Sequence, residues 1–271
     1  SQLRYLRISR GEITELRPFA TLRNLTSLML PANQIDDLTP LSNLKSLTQL
    51  DLSSNLIEDL TPLAKLTNLT RLDISDNHLQ DVTPLASLTN LTQLYLNSNY
   101  IKDLEPLSSL KSLGLLDLSH NKIENLQSLS TLIKLAHLEL GVNKIKDVTP
   151  LSGLSNLRVL ELSDNQIEYL SPLSSLTNLT DLYAFSNQIS DLKPLASLRN
   201  LMSLMLSHNQ ISDLSPLSNL PNLIYIFLNH NQILQITPWL DLKKVHYFCF
   251  IENPLTEEIP ENLLRYKEFC V

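Results

Sequence analysis

His208, His230 and Glu252 fall at one position of a 22-residue pattern, so three possible metal ligands could line up along one edge of a stack of repeats. Neighbouring rungs in a straight row suit tetrahedral zinc poorly, and no metal or other cofactor is expected. A second column of the pattern runs Arg7, Met29, Asp51, Asp73, Tyr95, Asp117, Glu139, Glu161, Tyr183, Met205, Phe227 and Cys249. Its middle is acidic. Carboxylates stacked about 5 Å apart on parallel neighbours repel one another, a cost that a partner or cation relieves and that water also screens. Its C-terminal third is aromatic or sulfur-bearing, and Phe185, Tyr225 and Tyr247 lie in the flanking columns. Adjacent apolar side chains on a surface mark an interaction site, whereas the competing reading is that aromatics simply suit a pleated sheet. His120 and His137 are also near neighbours, but no nucleophile with a base and an orienting acid emerges, nor a phosphate-binding glycine loop. No catalytic residue is expected.

The elements that must position these columns are read from Leu47 to Asn68, LTQLDLSSNLIEDLTPLAKLTN, whose spacing recurs without insertion from Leu3 to Val245. Leu50 and Leu52 point to one side of a short extended segment, and Gln49 and Asp51 to the other. Asn55 sits where the chain leaves that strand. Its counterparts Asn33, Asn77, Asn99, Asn121, Asn143, Asn165, Asn187, Asn209, Asn231 and Asn253 form a column. A side-chain amide both donates and accepts, so these asparagines are expected to satisfy backbone groups of their own turn and the next. Thr61-Pro62 places an N-cap type residue before a proline suited to a first helical position, which predicts a short 3-10 turn. Prolines recur in this register from Pro18 to Pro238, so the return path is not a second sheet. One such turn cannot fold alone, because its few aliphatic side chains do not offset the backbone entropy of ordering it; stacking buries both faces.

The chain of 271 residues carries a formal net charge of −7, with its lysines and arginines scattered. That excludes nucleic acid, which needs clustered basic residues. No run approaches 18 apolar residues, so no membrane span is expected. Cys249 and Cys270 are two cysteines far apart in the period and form no framework; free thiols are expected. Asn24, Asn68, Asn90 and Asn178 each open an NLT triplet, which the repeated TNLT junction creates by itself, and glycosylation is not inferred.

The uninterrupted period makes residues 1–253 one array of about twelve repeats, followed by a capping segment, residues 254–271. Within that segment Glu261 to Phe269 is helix-compatible, with Leu263, Leu264 and Phe269 facing the array. The first turn departs from the pattern with Gly11 in the asparagine column and Phe19 after its proline. Its Leu6, Ile8, Ile13 and Leu16 would leave an apolar end, for which trimming of residues upstream of Ser1 is the expected cause. Ser128 replaces a proline, which predicts local loosening near residues 125–130.

The consensus LTNLTxLxLSxNxIxDLTPL closely resembles bacterial internalin-type leucine-rich repeats over about Leu3 to Asn253. The resemblance implies an α/β-type solenoid, a right-handed superhelix with a parallel concave β-sheet and short 3-10 or turn segments on its convex side. It also implies a monomeric, non-catalytic module at the cell surface or secreted, whose concave sheet binds a protein. A weaker resemblance is to the 22-residue repeats of a phosphatase-regulatory subunit, and a regulatory or scaffolding domain of a larger cytoplasmic signalling protein is the alternative. The residues expected on the binding face are Asp51, Asp73, Tyr95, Asp117, Glu139, Glu161, Tyr183, Phe185, Met205, Tyr225, Phe227 and Tyr247.

Overall fold

Every repeat presents an extended segment with leucines on one side, and stacking these segments gives the sheet. A computed structural model describes residues 2–236 and 245–256, so the helix expected over Glu261 to Phe269, together with Pro238 and Cys270, lies outside the described residues. The chain forms two compact units, Ser1–Leu138 and Glu139–Val271. The first holds β1 (Tyr5–Arg7), β2 (Ser27–Met29), β3 (Gln49–Asp51), β4 (Arg71–Asp73), β5 (Gln93–Tyr95) and β6 (Leu115–Asp117). β7 (His137–Glu139) straddles the boundary, and the second unit holds β8 (Val159–Glu161), β9 (Asp181–Tyr183), β10 (Ser203–Met205), β11 (Tyr225–Phe227) and β12 (Tyr247–Cys249). Within each unit neighbouring strands pair in parallel with equivalent residues side by side, as in Leu50 opposite Leu72 and Leu204 opposite Ile226.

Short 3-10 helices carry the return path, among them Thr61–Lys65 and Ser171–Ser175. The leucines of strand and return path meet between them, with Leu50, Leu52, Ile57, Leu60, Leu63, Leu66 and Leu69 at most 1 % exposed. Each such side chain is worth roughly 1.5–3 kcal/mol when removed from water. The first turn is the exception: Leu16 is buried, whereas Leu6, Ile8, Ile13 and Phe19 are half-buried and Leu3 and Tyr5 exposed.

The start of each 3-10 helix corrects one expectation. Thr61 is the first helical residue and caps nothing; its N–H donates instead to Asp59 Oδ1 at 2.8 Å. The same bond joins Thr39 to Asp37, Thr83 to Asp81, Glu105 to Asp103, Thr149 to Asp147, Lys193 to Asp191 and Ser215 to Asp213. An Asx turn two residues upstream thus replaces the cap read from Thr-Pro. Hydrogen bonds from Thr39, Thr83, Thr149 and Ser215 hold the carboxyls of Asp37, Asp81, Asp147 and Asp213 below their ordinary range. Near Ser128 the turn does not loosen: Gln127–Thr131 is a full 3-10 helix, Asn125 caps Gln127 at 2.7 Å, and Ser128 Oγ donates to Glu105 Oε2 at 3.0 Å.

The buried asparagines hold the strand exits. Asn77 Nδ2 donates to the carbonyls of Ile74 and Ser75 in its own turn and of Leu52 in the preceding one, at 3.3, 3.0 and 3.0 Å. Its Oδ1 accepts the N–H of Ile57, also in the preceding turn, at 2.9 Å. The clamp encloses one residue in left-handed backbone just before each column asparagine: Ala32, Ser54, Asp76, Ser98, Val142, His208 and their equivalents have φ between 52° and 57°. None is glycine. On a second column, Asn68, Asn90 and Asn178 donate to carbonyls of the preceding repeat at 2.8 to 2.9 Å, which gives the NLT triplets a structural role.

Asn77→Ala should therefore cost roughly 1–3 kcal/mol in denaturant unfolding, because the buried N–H of Ile57 loses its partner and the carbonyls of Leu52, Ile74 and Ser75 each lose one of two. Asn68→Ala, removing one exposed bond, should cost less than about 0.5; equal losses would contradict the clamp. Val142, a β-branched residue at φ 54° and 40 % exposed, strains the chain for little burial. Val142→Asn should raise stability by about 0.5–1 kcal/mol in the same measurement.

Candidate functional site

The outward side chains of the strands form the candidate face, and it differs between the units. In the first unit Asp51 lies beside Asp73, Asp73 beside Tyr95, and Tyr95 beside Asp117. These acids do not stand free. Asp51 Oδ1 accepts from Ser53 N at 3.0 Å and Ser53 Oγ at 2.7 Å; Asp73 does so from Ser75 at 3.2 and 2.7 Å, and Asp117 from Ser119 at 3.0 and 2.6 Å. Each carboxylate thus folds back on the turn that leaves its own strand. The signal was in the sequence as the recurring DLS, DIS and ELS triplets, which the reading for repulsion passed over.

Arg71 is the other residue that reading missed. Its guanidinium lies 4.4 Å from the centre of the Tyr95 ring and donates to Gln93 Oε1 at 2.7 Å and Tyr95 Oη at 2.9 Å. It also pairs with Asp73 Oδ2 at 3.7 Å. The group orders Tyr95 on the face. Burial nevertheless raises the Asp73 carboxyl above its ordinary range, outweighing the hydrogen bonds from Ser75.

In the second unit Tyr183, Met205 and Phe227 lie side by side in one row, all half-buried, and the row continues to Cys249. Beside it Tyr225 and Tyr247 stack with centroids 5.2 Å apart and remain 42 % and 40 % exposed. Phe185, just beyond β9, is also half-buried. Cys249 is buried and disulfide-bonded, which overturns the expected free thiol. Spacing within the period cannot reveal such a bond, because the repeats hold no second cysteine.

Glu161 adjoins Tyr183 in the same row. Its Oε1 accepts from Ser163 N at 2.8 Å and its Oε2 from Ser163 Oγ at 3.1 Å. Gly141 makes room for this longer acid: a Cβ there would stand 2.7 Å from Oε1. Burial pushes the carboxyl up to about 7, helped by Glu139 and Asp164 and opposed by the Ser163 bonds. His208 and His230 stack at 4.1 Å on left-handed turn positions, as is Glu252. Among the described residues no group of three or more His, Cys, Asp or Glu is placed to hold a metal ion.

A carboxyl whose pKa is raised on folding holds its proton more tightly folded than unfolded. Stability therefore falls as pH climbs from the ordinary 4.5 towards 7 and is level above. Glu161→Gln should be more stable than the parent at pH 8 by about 1–2 kcal/mol after allowance for solvent screening, and no different near pH 4. Denaturant unfolding at the two pH values checks this; a less stable variant at pH 8 would mean that the Ser163 bonds outweigh burial.

The model of leucine-rich repeats in two copies matches residues 23–65, 67–109, 155–197 and 199–244. No curated protein matches the chain. Among solved structures, an internalin, InlF, from Listeria monocytogenes is 33 % identical, with a TM-score of 0.81 over 94 % of this chain and 83 % of that one. Internalin C2 from the same species is 38 % identical over 74 % of this chain and 80 % of that one, with a TM-score of 0.58. The leucine-rich-repeat ectodomain of the Arabidopsis thaliana receptor kinase GASSHO1/SCHENGEN3, solved in complex with CASPARIAN STRIP INTEGRITY FACTOR 2, shares the fold at 24 % identity. Its TM-score is 0.79 over 99 % of this chain and 38 % of that one. No helix among the described residues is long and apolar enough to cross a membrane. The stacked strands, the asparagine clamp and these matches together make the chain a member of the leucine-rich-repeat family, of the internalin type.

Proposed function

We propose that the chain is a non-catalytic module that binds a protein partner on its strand face, with the aromatic row of the second unit as the anchor. The observation that carries this reading is the pair Tyr225 and Tyr247, stacked and exposed beside Tyr183, Met205 and Phe227. A solvated sheet has no need of such a row, and large side chains with few rotatable bonds supply binding energy at low entropic cost. The similarity to internalins and the ligand-bound plant ectodomain support protein recognition by this fold. The disulfide at Cys249 supports a partner met in an oxidising compartment. The acids of the first unit, already bonded to their serines, would tune approach and selectivity more than affinity.

The test is affinity selection of the purified chain against a displayed library of extracellular proteins, followed by measurement of each hit with two variants. Phe227→Ala should weaken binding by at least about 2 kcal/mol and Asp73→Ala by less than about 1, with thermal melts showing both folded. A larger loss with Asp73→Ala would make the interface electrostatic and misplace the anchor. Hits indifferent to both would remove the strand face as the site.

A further inference from the structure

The residue after each column asparagine is glutamine at positions 34, 166, 188, 210 and 232, but in the first unit the series continues Leu56, His78, Tyr100, Lys122. All four are exposed, Leu56 by 46 % and Tyr100 by 44 %. His78, Tyr100 and Lys122 also pack on one another. The His78 and Tyr100 rings stack at 6.2 Å and 21°, and Lys122 Nζ lies 4.6 Å from the centre of the Tyr100 ring. Each is mounted rigidly, because its N–H donates to a carbonyl of the preceding repeat: Leu56 to Ile35, His78 to Ile57, Tyr100 to Leu79 and Lys122 to Ile101, at 2.8 to 3.0 Å. Leu56, His78 and Tyr100 line a groove together with Asp76 and His120.

Glutamine would satisfy water at this position, so leaving a leucine and a tyrosine exposed in register calls for something that covers them. The charges select the occupant. Lys122 is held over the Tyr100 ring and meets no carboxylate among the described residues, and His120 lines the groove together with Tyr100. Only Asp76 opposes them on the groove wall. The strand face of the same unit carries Asp51, Asp73 and Asp117, which repel an anion and turn it towards this edge. The backbone N–H groups beneath the column are spent within the solenoid, so recognition runs through side chains and not through strand addition.

We propose that this edge of the first unit is a second docking surface, distinct from the strand face, for an acidic polypeptide segment. A carboxylate of the segment meets Lys122, and an apolar side chain beside it covers Leu56 and the free edge of Tyr100. Protein–protein contacts of this size, one cation and two apolar groups, are weak on their own and gain from a second site on the same partner.

The experiment is fluorescence anisotropy of the full chain with two short labelled peptides of the same Leu and Trp content, one bearing glutamates and the other lysines. The glutamate peptide is expected to bind, more weakly as salt rises. Lys122→Glu and Tyr100→Ala should each weaken it by about tenfold or more, and Phe227→Ala should leave it unchanged. Both edge residues are exposed, so the fold survives their replacement, which thermal melts verify; Lys122→Gln, restoring the usual residue of the column, should fall between parent and Lys122→Glu. The proposal is overturned if neither peptide binds, if the lysine peptide binds as well, or if Lys122→Glu has no effect. It is also overturned if Phe227→Ala weakens the glutamate peptide as much as Lys122→Glu does, since the peptide then sits on the strand face.

Discussion

The structure depends on how a strand ends. Where each strand gives way to the return path, the carbonyl of its last inward leucine and an N–H of the turn before it are buried with no backbone partner. One carboxamide answers all of them. Asn55 offers its Nδ2 to Leu52, Ser53 and Leu30, and its Oδ1 to the N–H of Ile35. An aspartate could not donate, and a serine could not reach both turns at once. Because two of the four bonds go to the preceding repeat, the interaction that shapes a turn also staples it to its neighbour, and the left-handed residue before each asparagine is held by that closure.

Everything outside the core inherits its place from this staple. Equivalent residues of neighbouring repeats stand side by side, so any change in residue type along a column becomes a change along a surface. The strand face of the first unit alternates acids and an ordered Tyr95, while that of the second gathers Tyr183, Met205 and Phe227. The edge after the asparagines reads glutamine at positions 166, 188, 210 and 232 of the second unit and Leu56, His78, Tyr100 and Lys122 in the first. One scaffold can therefore present surfaces of different chemistry without altering its core.

The polar residues of the surface are more constrained than their exposure implies. Asp51, Asp73, Asp117 and Glu161 each satisfy the serine two residues on, and Asp59 and its equivalents start the 3-10 helices. Such carboxylates serve the turn first and any partner second. Glu161 shows the cost: its extra methylene carries the acid over Gly141, where burial outweighs two hydrogen bonds and lifts its pKa.

Period and side-chain alternation were legible in the sequence because they are local: LxxLxL fixes which residues of a strand face the core, and the unbroken 22-residue spacing fixes which residues share a column. The outward-facing strand columns and the asparagine column follow from those two facts alone. What only the tertiary structure decided are matters of reach between side chains. Thr61 looked like a cap, but the carboxylate of Asp59 is nearer its N–H once the chain bends. Arg71 was one base among glutamines until its guanidinium lay across Tyr95 in the next strand. Cys249 carries a disulfide that no repeat spacing encodes, since the repeats hold no second cysteine. Periodicity determines register, which is a property of the backbone; contacts of long, rotatable side chains depend on distances that exist only after the repeats have stacked.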